Sequence, residues 1–150
     1  ADHPHALKIM DELQKWRIMY VYRVGSAHKT PAYCLEILGD HENSGKELVY
    51  CTIAGRSDGL SGMVAANTAY PVVACPPEPQ SFGDAGTYLH SSLNAPSEAP
   101  VAVVKDPKNA ALAIVKIFGL SDRELRAEIE QHIEKVRQRI MEADGGQKIQ

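Results

Sequence analysis

The chain has one tryptophan and two phenylalanines in 150 residues, too few large aromatics to suggest the stacking platform a flavin carrier needs. It has three cysteines, Cys34, Cys51 and Cys75, an odd number with no two close together. That pattern offers neither a disulfide framework nor a metal-binding spacing. Buried small hydrophobes in a reducing compartment are the simplest reading, with a catalytic thiol as the minor one. Positive charge is not in excess: the net charge is −3, which gives no electrostatic case for nucleic acid or an anionic membrane surface as partner. No apolar run approaches the roughly 20 residues of a membrane helix, and no signal-peptide pattern is visible. The expected location is the cytoplasm. What remains, 44% hydrophobic and 23% charged residues, is ordinary globular composition, enough for a single domain over 1–150 with a real core.

Along the chain, helix and strand patterns alternate. Ala6, Ile9, Met10, Leu13 and Trp16 recur at helical spacing. The β-branched and aromatic run Ile18–Val24 reads as a strand. "SAHKT" is the turn after it, and "PAYCLEIL" a helix with Thr30 as N-cap and Pro31 at its first position. "LVYCTIA" and "PVVAC" read as buried strands, and the short helix between them has Ser61 as a possible cap. The Pro-, Gly- and Ser-rich stretch 76–100 is long for a loop in a compact domain. "VAVV" is a further strand. A helix follows it, opened by Asp106–Pro107, closed by Gly119 and apolar all round. A long C-terminal helix over 121–143 carries the stripe Leu125, Ile129, Ile133, Val136 and Ile140, and 144–150 is a tail. The pattern predicts a three-layer α/β/α fold: a doubly wound parallel sheet, flavodoxin- or Rossmann-like, with helices on both faces. Such folds open with a strand, so a strand and its turn are expected upstream of Ala1.

In an open parallel sheet the ligand sits at the carboxyl ends of the strands. Three turns meet that condition: Ser26–Thr30, Gly55–Gly59 and Pro76–Pro79. The first two lead into helix N-termini, where backbone N–H groups and the helix dipole favour an anion. Each also supplies hydroxyls and a cation, Ser26, Thr30 and Lys29 in one, Ser57, Ser61 and Arg56 in the other. A phosphorylated small molecule spanning both turns fits this layout, as do plain helix caps and solvated charges. His28 is the residue in these turns that titrates near neutral pH, a candidate general acid and base. His3, His5, His41, His90 and His132 read as surface residues, His3 and His5 as a weak chelating pair and His90 as able to approach a ligand.

"SAHKTP", "IAGRSDGLSGMVAANTAYPVVACPP", "SSLNAPS" and "PKNAALAIVKIFGL" occur in that order. Together they resemble the 5-aminoimidazole ribonucleotide (AIR) carboxylases of purine biosynthesis, over about Asp2 to Leu120. Lys29 after the histidine and the Gly55–Arg56–Ser57 turn resemble the class II branch, which carboxylates AIR directly with CO2 to give carboxy-AIR (CAIR). The mutase branch, acting on N5-carboxy-AIR, has a histidine-bearing glycine/alanine loop in place of "GRSDGLSG". The resemblance implies a homo-octamer with sites at subunit contacts and no cofactor: no ATP, biotin or metal. It implies that His28 carries the C4 proton, and that Lys29 and Ser57 hold the carboxylate or CO2. Ser26, Arg56 and the amides of Ala27 and Gly55 position the nucleotide, and Asp2 contacts the ribose. Asp58, Leu60 and Ser61 complete the substrate-binding set, with Ala54, Leu60 and Met63 as a dry wall.

Three positions depart from the family pattern. Asp58 stands where asparagine is usual, and a carboxylate there repels the product carboxylate unless it is protonated or turned away. Asn94 and Glu98 replace an arginine and a glycine. The alternatives to a working class II enzyme are the mutase, a non-catalytic nucleotide-binding relative and a flavin carrier.

Overall fold

Ala6, Ile9 and Leu13 are the buried side of helix α1 (His3–Lys15), as their spacing predicts. The helix ends in a paired-bond cap: the Ile18 N–H donates to Leu13 O and the Arg17 N–H to Gln14 O. Arg17 takes the left-handed conformation this cap requires, at φ 58°. The computed structural model of the chain describes residues 2–55, 57–77 and 91–145. One compact unit runs to Ile114 and a second begins at Val115.

Within the first unit, α1 is followed by α2 (Pro31–Glu42), β1 (Tyr50–Thr52), α3 (Gly59–Ala66), β2 (Val72–Ala74), a 3-10 turn (Ser91–Leu93) and β3 (Ala102–Val103). Helix α4 (Pro107–Phe118) crosses into the second unit, which also holds α5 (Arg123–Gly145). The three strands are parallel in the order β1-β2-β3, with Cys51 beside Val73 and Val73 beside Ala102. Strand residues alternate between faces. Val72 packs with Leu38 of α2 and with Val64 and Ala65 of α3. Cys75, one residue past β2 and still bonded to Thr52 O through its N–H, faces the other way and meets His5 of α1. Helices therefore cover both faces of a parallel sheet, the layered flavodoxin-like α/β architecture predicted from sequence.

Three expectations are corrected. The run Ile18–Val24 joins no ladder among the described residues, and Met19 is 87% and Val24 73% exposed. A strand exists only where a neighbour takes its N–H and C=O groups, and composition cannot supply that neighbour. Thr30 takes the expected N-cap position, with Pro31 first in α2, but its side chain makes no cap bond. Its hydroxyl is drawn back into the turn before it. The cap of α3 is Asp58, three residues ahead of the expected Ser61. The cap expected at Asp106 is present, with Oδ1 accepting from the Asn109 N–H at 2.8 Å. In the second unit Asp122 caps α5 through the Leu125 N–H. That helix starts at Arg123, and its stripe is buried at Leu125 and Ile129 but open at Ile140.

Glu98 sits at φ 61°, a left-handed position that costs a side-chain-bearing residue about 1–2 kcal/mol. Glycine pays less there but gains freedom in the unfolded chain. Glu98→Gly should therefore raise stability by about 0.5–1 kcal/mol, read as an upward shift of the denaturant midpoint. A lower midpoint would mean that the Glu98 side chain makes compensating contacts.

Candidate functional site

The turn after Val24 is locked by its own hydroxyls. Thr30 Oγ1 accepts from the Ser26 N–H at 3.0 Å and donates to Ser26 O at 3.2 Å. Ser26 Oγ accepts from the Lys29 N–H at 3.2 Å, a role that leaves the hydroxyl proton unused. The Thr30 N–H closes on Ser26 O at 2.8 Å. Four short-range bonds thus fix a five-residue bend without using the imidazole of His28 or the ammonium of Lys29. Both side chains project from a rigid bend, exposed to solvent.

His28 projects onto the start of α3. A Cβ built on Gly59 would lie 2.7 Å from His28 Nε2 and 2.8 Å from Cε1, so only glycine admits the ring at this distance. The "SAHKT" and "GRSDG" turns therefore meet where the imidazole lies against the helix N-terminus. Behind Gly59 the polar groups are organised inward. Asp58 Oδ1 accepts from the Ser61 N–H at 2.9 Å, and Oδ2 from the Ser61 hydroxyl at 2.5 Å. The Ser92 hydroxyl donates to the same Oδ2. Ser61 Oγ lies 2.7 Å from Thr52 Oγ1 on β1, and both residues are buried. The Asp58 carboxylate is thus turned toward the protein, and the anticipated repulsion of a product carboxylate is reduced.

Asp2 closes the other side. A Cβ on Gly55 would lie 2.7 Å from Asp2 Oδ1 and 3.3 Å from Pro77 Cγ, which brings the α1 N-terminus, the β1 turn and the β2 turn together. His5, one turn into α1, is not the surface residue expected from sequence. Its Nε2 lies 3.2 Å from Cys75 Sγ, and the thiol also donates to Lys105 O at 3.6 Å. Burial, then the charge of Lys8, holds the His5 pKa below its usual 6.5, against partial opposition from a hydrogen bond to the Cys75 backbone and from Asp2 and Asp106. Burial pushes the Cys51 and Cys75 thiols up to about 12, so both stay protonated at neutral pH and behave as the small hydrophobes predicted.

A histidine with a lowered folded-state pKa binds fewer protons folded than unfolded between the two values. Its contribution is complete above the unfolded value near 6.5 and is lost as pH falls toward the lower folded value. His5→Gln should therefore lose less Tm than wild type between pH 7 and pH 5. Parallel Tm curves for the two proteins would show that folding does not lower the His5 pKa.

The structure brings together Asp2, Gly55 and Pro77, and separately His28 and Gly59. Ser57 is exposed beside them, and Ser26 and Ala27 are half-buried in their turn. Leu60 and Met63 pack against the cluster of Leu38, Val64 and Val72. Arg56 and His90 lie outside the described residues. Sequence reasoning placed Gly59 and Pro77 in candidate ligand turns without a role for either, and missed Ser91 and Ser92. For Gly59 a signal existed, a glycine at the first position of a helix, where a side chain would be favoured. The two serines carry no local signal.

Comparison with known proteins bears on the family and the fold. The family model described as AIR carboxylase matches residues 1–139. A phosphoribosylaminoimidazole carboxylase of Treponema denticola is 42% identical over 144 residues, 96% of this chain and 89% of the relative. One from Archaeoglobus fulgidus is also 42% identical, over 96% of this chain and 78% of its own length. The crystal structure of Treponema denticola PurE superposes with a TM-score of 0.91 at 41% identity, covering 99% of this chain and 92% of that one.

Proposed function

This chain belongs to the AIR carboxylase family, and from that premise we infer that it is a phosphoribosylaminoimidazole carboxylase of purine biosynthesis, working by direct and reversible reaction with CO2. The observation that carries the reading is the His28–Gly59 contact. It sets an imidazole, a side chain suited to general acid and base work, against the first residue of α3, the helix that Asp58 caps.

In the forward direction C4 of the aminoimidazole, an enamine-like carbon, attacks CO2. A carbon–carbon bond forms, and one C=O electron pair moves onto oxygen to give the carboxylate. His28 takes the C4 proton, restoring the aromatic ring. In reverse His28 returns the proton, and the carbon–carbon bond breaks to release CO2. The substrate supplies the carbon nucleophile, so the reaction needs no ATP, biotin or metal. Lys29 and Ser57 hold the carboxylate or CO2. Ser26, through its unused hydroxyl proton, and Arg56, with the Ala27 and Gly55 amides, hold the nucleotide, and Asp2 the ribose hydroxyls. Half-buried Leu60 and Met63, with Ala54, limit water beside the CO2. Asp58 and Ser61 act from behind this surface. Residues 1–150 serve as one such domain, assembled as a cytoplasmic homo-octamer with sites at subunit contacts.

CAIR formation should rise with dissolved CO2 and bicarbonate and be indifferent to ATP, followed by absorbance with AIR as substrate. A requirement for ATP, or turnover of N5-carboxy-AIR in preference to AIR, would contradict the direct route.

A further inference from the structure

The Asp58 carboxylate is the centre of a chain of hydrogen bonds that the reaction itself does not use. The Ser61 hydroxyl donates its single proton to Oδ2. Ser61 Oγ must then accept from Thr52 Oγ1, 2.7 Å away. The Ser92 hydroxyl donates to Oδ2 from the opposite side, while Ser91 Oγ accepts from the Asp58 N–H at 2.5 Å. The chain therefore has one direction, Thr52 to Ser61 to Asp58, met there by Ser92. Thr52, Ser61 and Ser92 are only 5%, 2% and 3% exposed. It joins β1, the first turn of α3 and the Ser91–Leu93 turn, and the next residue after its centre is Gly59.

We propose that Asp58 is a positioning residue for the proton transfer: it latches the Ser91–Leu93 turn onto the N-terminus of α3 and so fixes Gly59 against His28. The proposal rests on the carboxylase reading for its kinetic consequence, but not for the latch itself. Pro96 braces the same helix, since a Cβ on Gly62 would lie 2.7 Å from its Cδ. The segment 91–96 therefore grips α3 at two successive turns. Without the carboxylate, Ser61 and Ser92 lose their common acceptor and the first turn of α3 loses its cap. His28 then faces a helix end that moves. Asparagine can keep the latch, because its Oδ1 still accepts from the Ser61 N–H and its amide can donate to the two hydroxyls once they reverse.

The test compares Asp58→Ala, Asp58→Asn, Ser92→Ala and the Asp58→Ala/Ser92→Ala double variant, all at a temperature well below their Tm. Asp58→Ala should lower kcat about tenfold or more while the KM for AIR stays within about threefold, since orientation is lost and nucleotide contacts are kept. Asp58→Asn should recover most of the lost kcat. Ser92→Ala should lower kcat less, and the double variant should be no worse than Asp58→Ala, the mark of one shared unit. A kcat within twofold of wild type in Asp58→Ala, an equal rise in KM, or an Asp58→Asn as poor as the alanine would each overturn the proposal. If wild type itself does not turn over AIR, the carboxylase reading fails instead. The latch is then read from amide exchange at Leu60 and Ser61, expected to quicken in both Asp58→Ala and Ser92→Ala. Unchanged exchange in both would refute it.

Discussion

Replacing His28 by asparagine should lower CAIR formation and decarboxylation together, by about a hundredfold to ten-thousandfold, the usual contribution of a positioned general acid or base. Asparagine keeps a hydrogen-bonding head of similar reach but cannot hold and release a proton near neutral pH. The loss should fall on kcat. The affinity for AIR, measured by calorimetry, should stay within about threefold, because the proposed nucleotide contacts, Ser26, Arg56, Asp2 and backbone amides, do not include the imidazole. The bend that carries His28 is closed by Ser26 and Thr30, so the substitution leaves its scaffold intact. Unchanged turnover would remove His28 from the proton transfer. An equal loss in both directions with normal binding would assign it.

Gly59→Ala tests the same contact from the opposite side. The new methyl group would lie 2.7 Å from Nε2 and 2.8 Å from Cε1 of His28, well inside van der Waals distance. Either the imidazole swings away or the first turn of α3 shifts. A displacement near 1 Å in a reacting group costs about a hundredfold in rate. Stability should move the other way or hardly at all, because alanine is favoured over glycine in a helix by roughly 1 kcal/mol. A variant with an equal or higher Tm and a kcat down about a hundredfold would separate the geometric effect from unfolding. Full activity would show that His28 does not need the seat it occupies.

The parts of the fold legible in the sequence are those whose information is local or periodic. Ala6, Ile9 and Leu13 mark their helix by spacing, the uninterrupted Val72–Ala74 run marks a strand buried on both faces, and Asp106 before Pro107 marks a helix start. Relational features were not legible. Whether Ile18–Val24 pairs depends on a neighbour, and its composition alone suggested a strand that it does not form among the described residues. Thr30 and Asp58 are both good capping residues, yet one hydroxyl is captured by Ser26 while the other residue takes the cap expected of Ser61. His5 looked like a surface residue because nothing near it in sequence tells of Cys75, seventy positions away. The site was legible as a set of turns, since the carboxyl ends of parallel strands are where ligands bind. It was not legible as a set of contacts: the pairings of Gly59 with His28 and of Gly55 with Asp2 join residues far apart in the chain.

The most direct measurement is decarboxylation of CAIR by this chain, followed by ultraviolet absorbance without ATP or added metal. The account predicts steady turnover to AIR and CO2, lowered about a hundredfold to ten-thousandfold in His28→Asn and about a hundredfold in Gly59→Ala. A folded protein that binds AIR yet leaves CAIR untouched would contradict it, and would make the chain a nucleotide-binding relative that kept the fold without the chemistry.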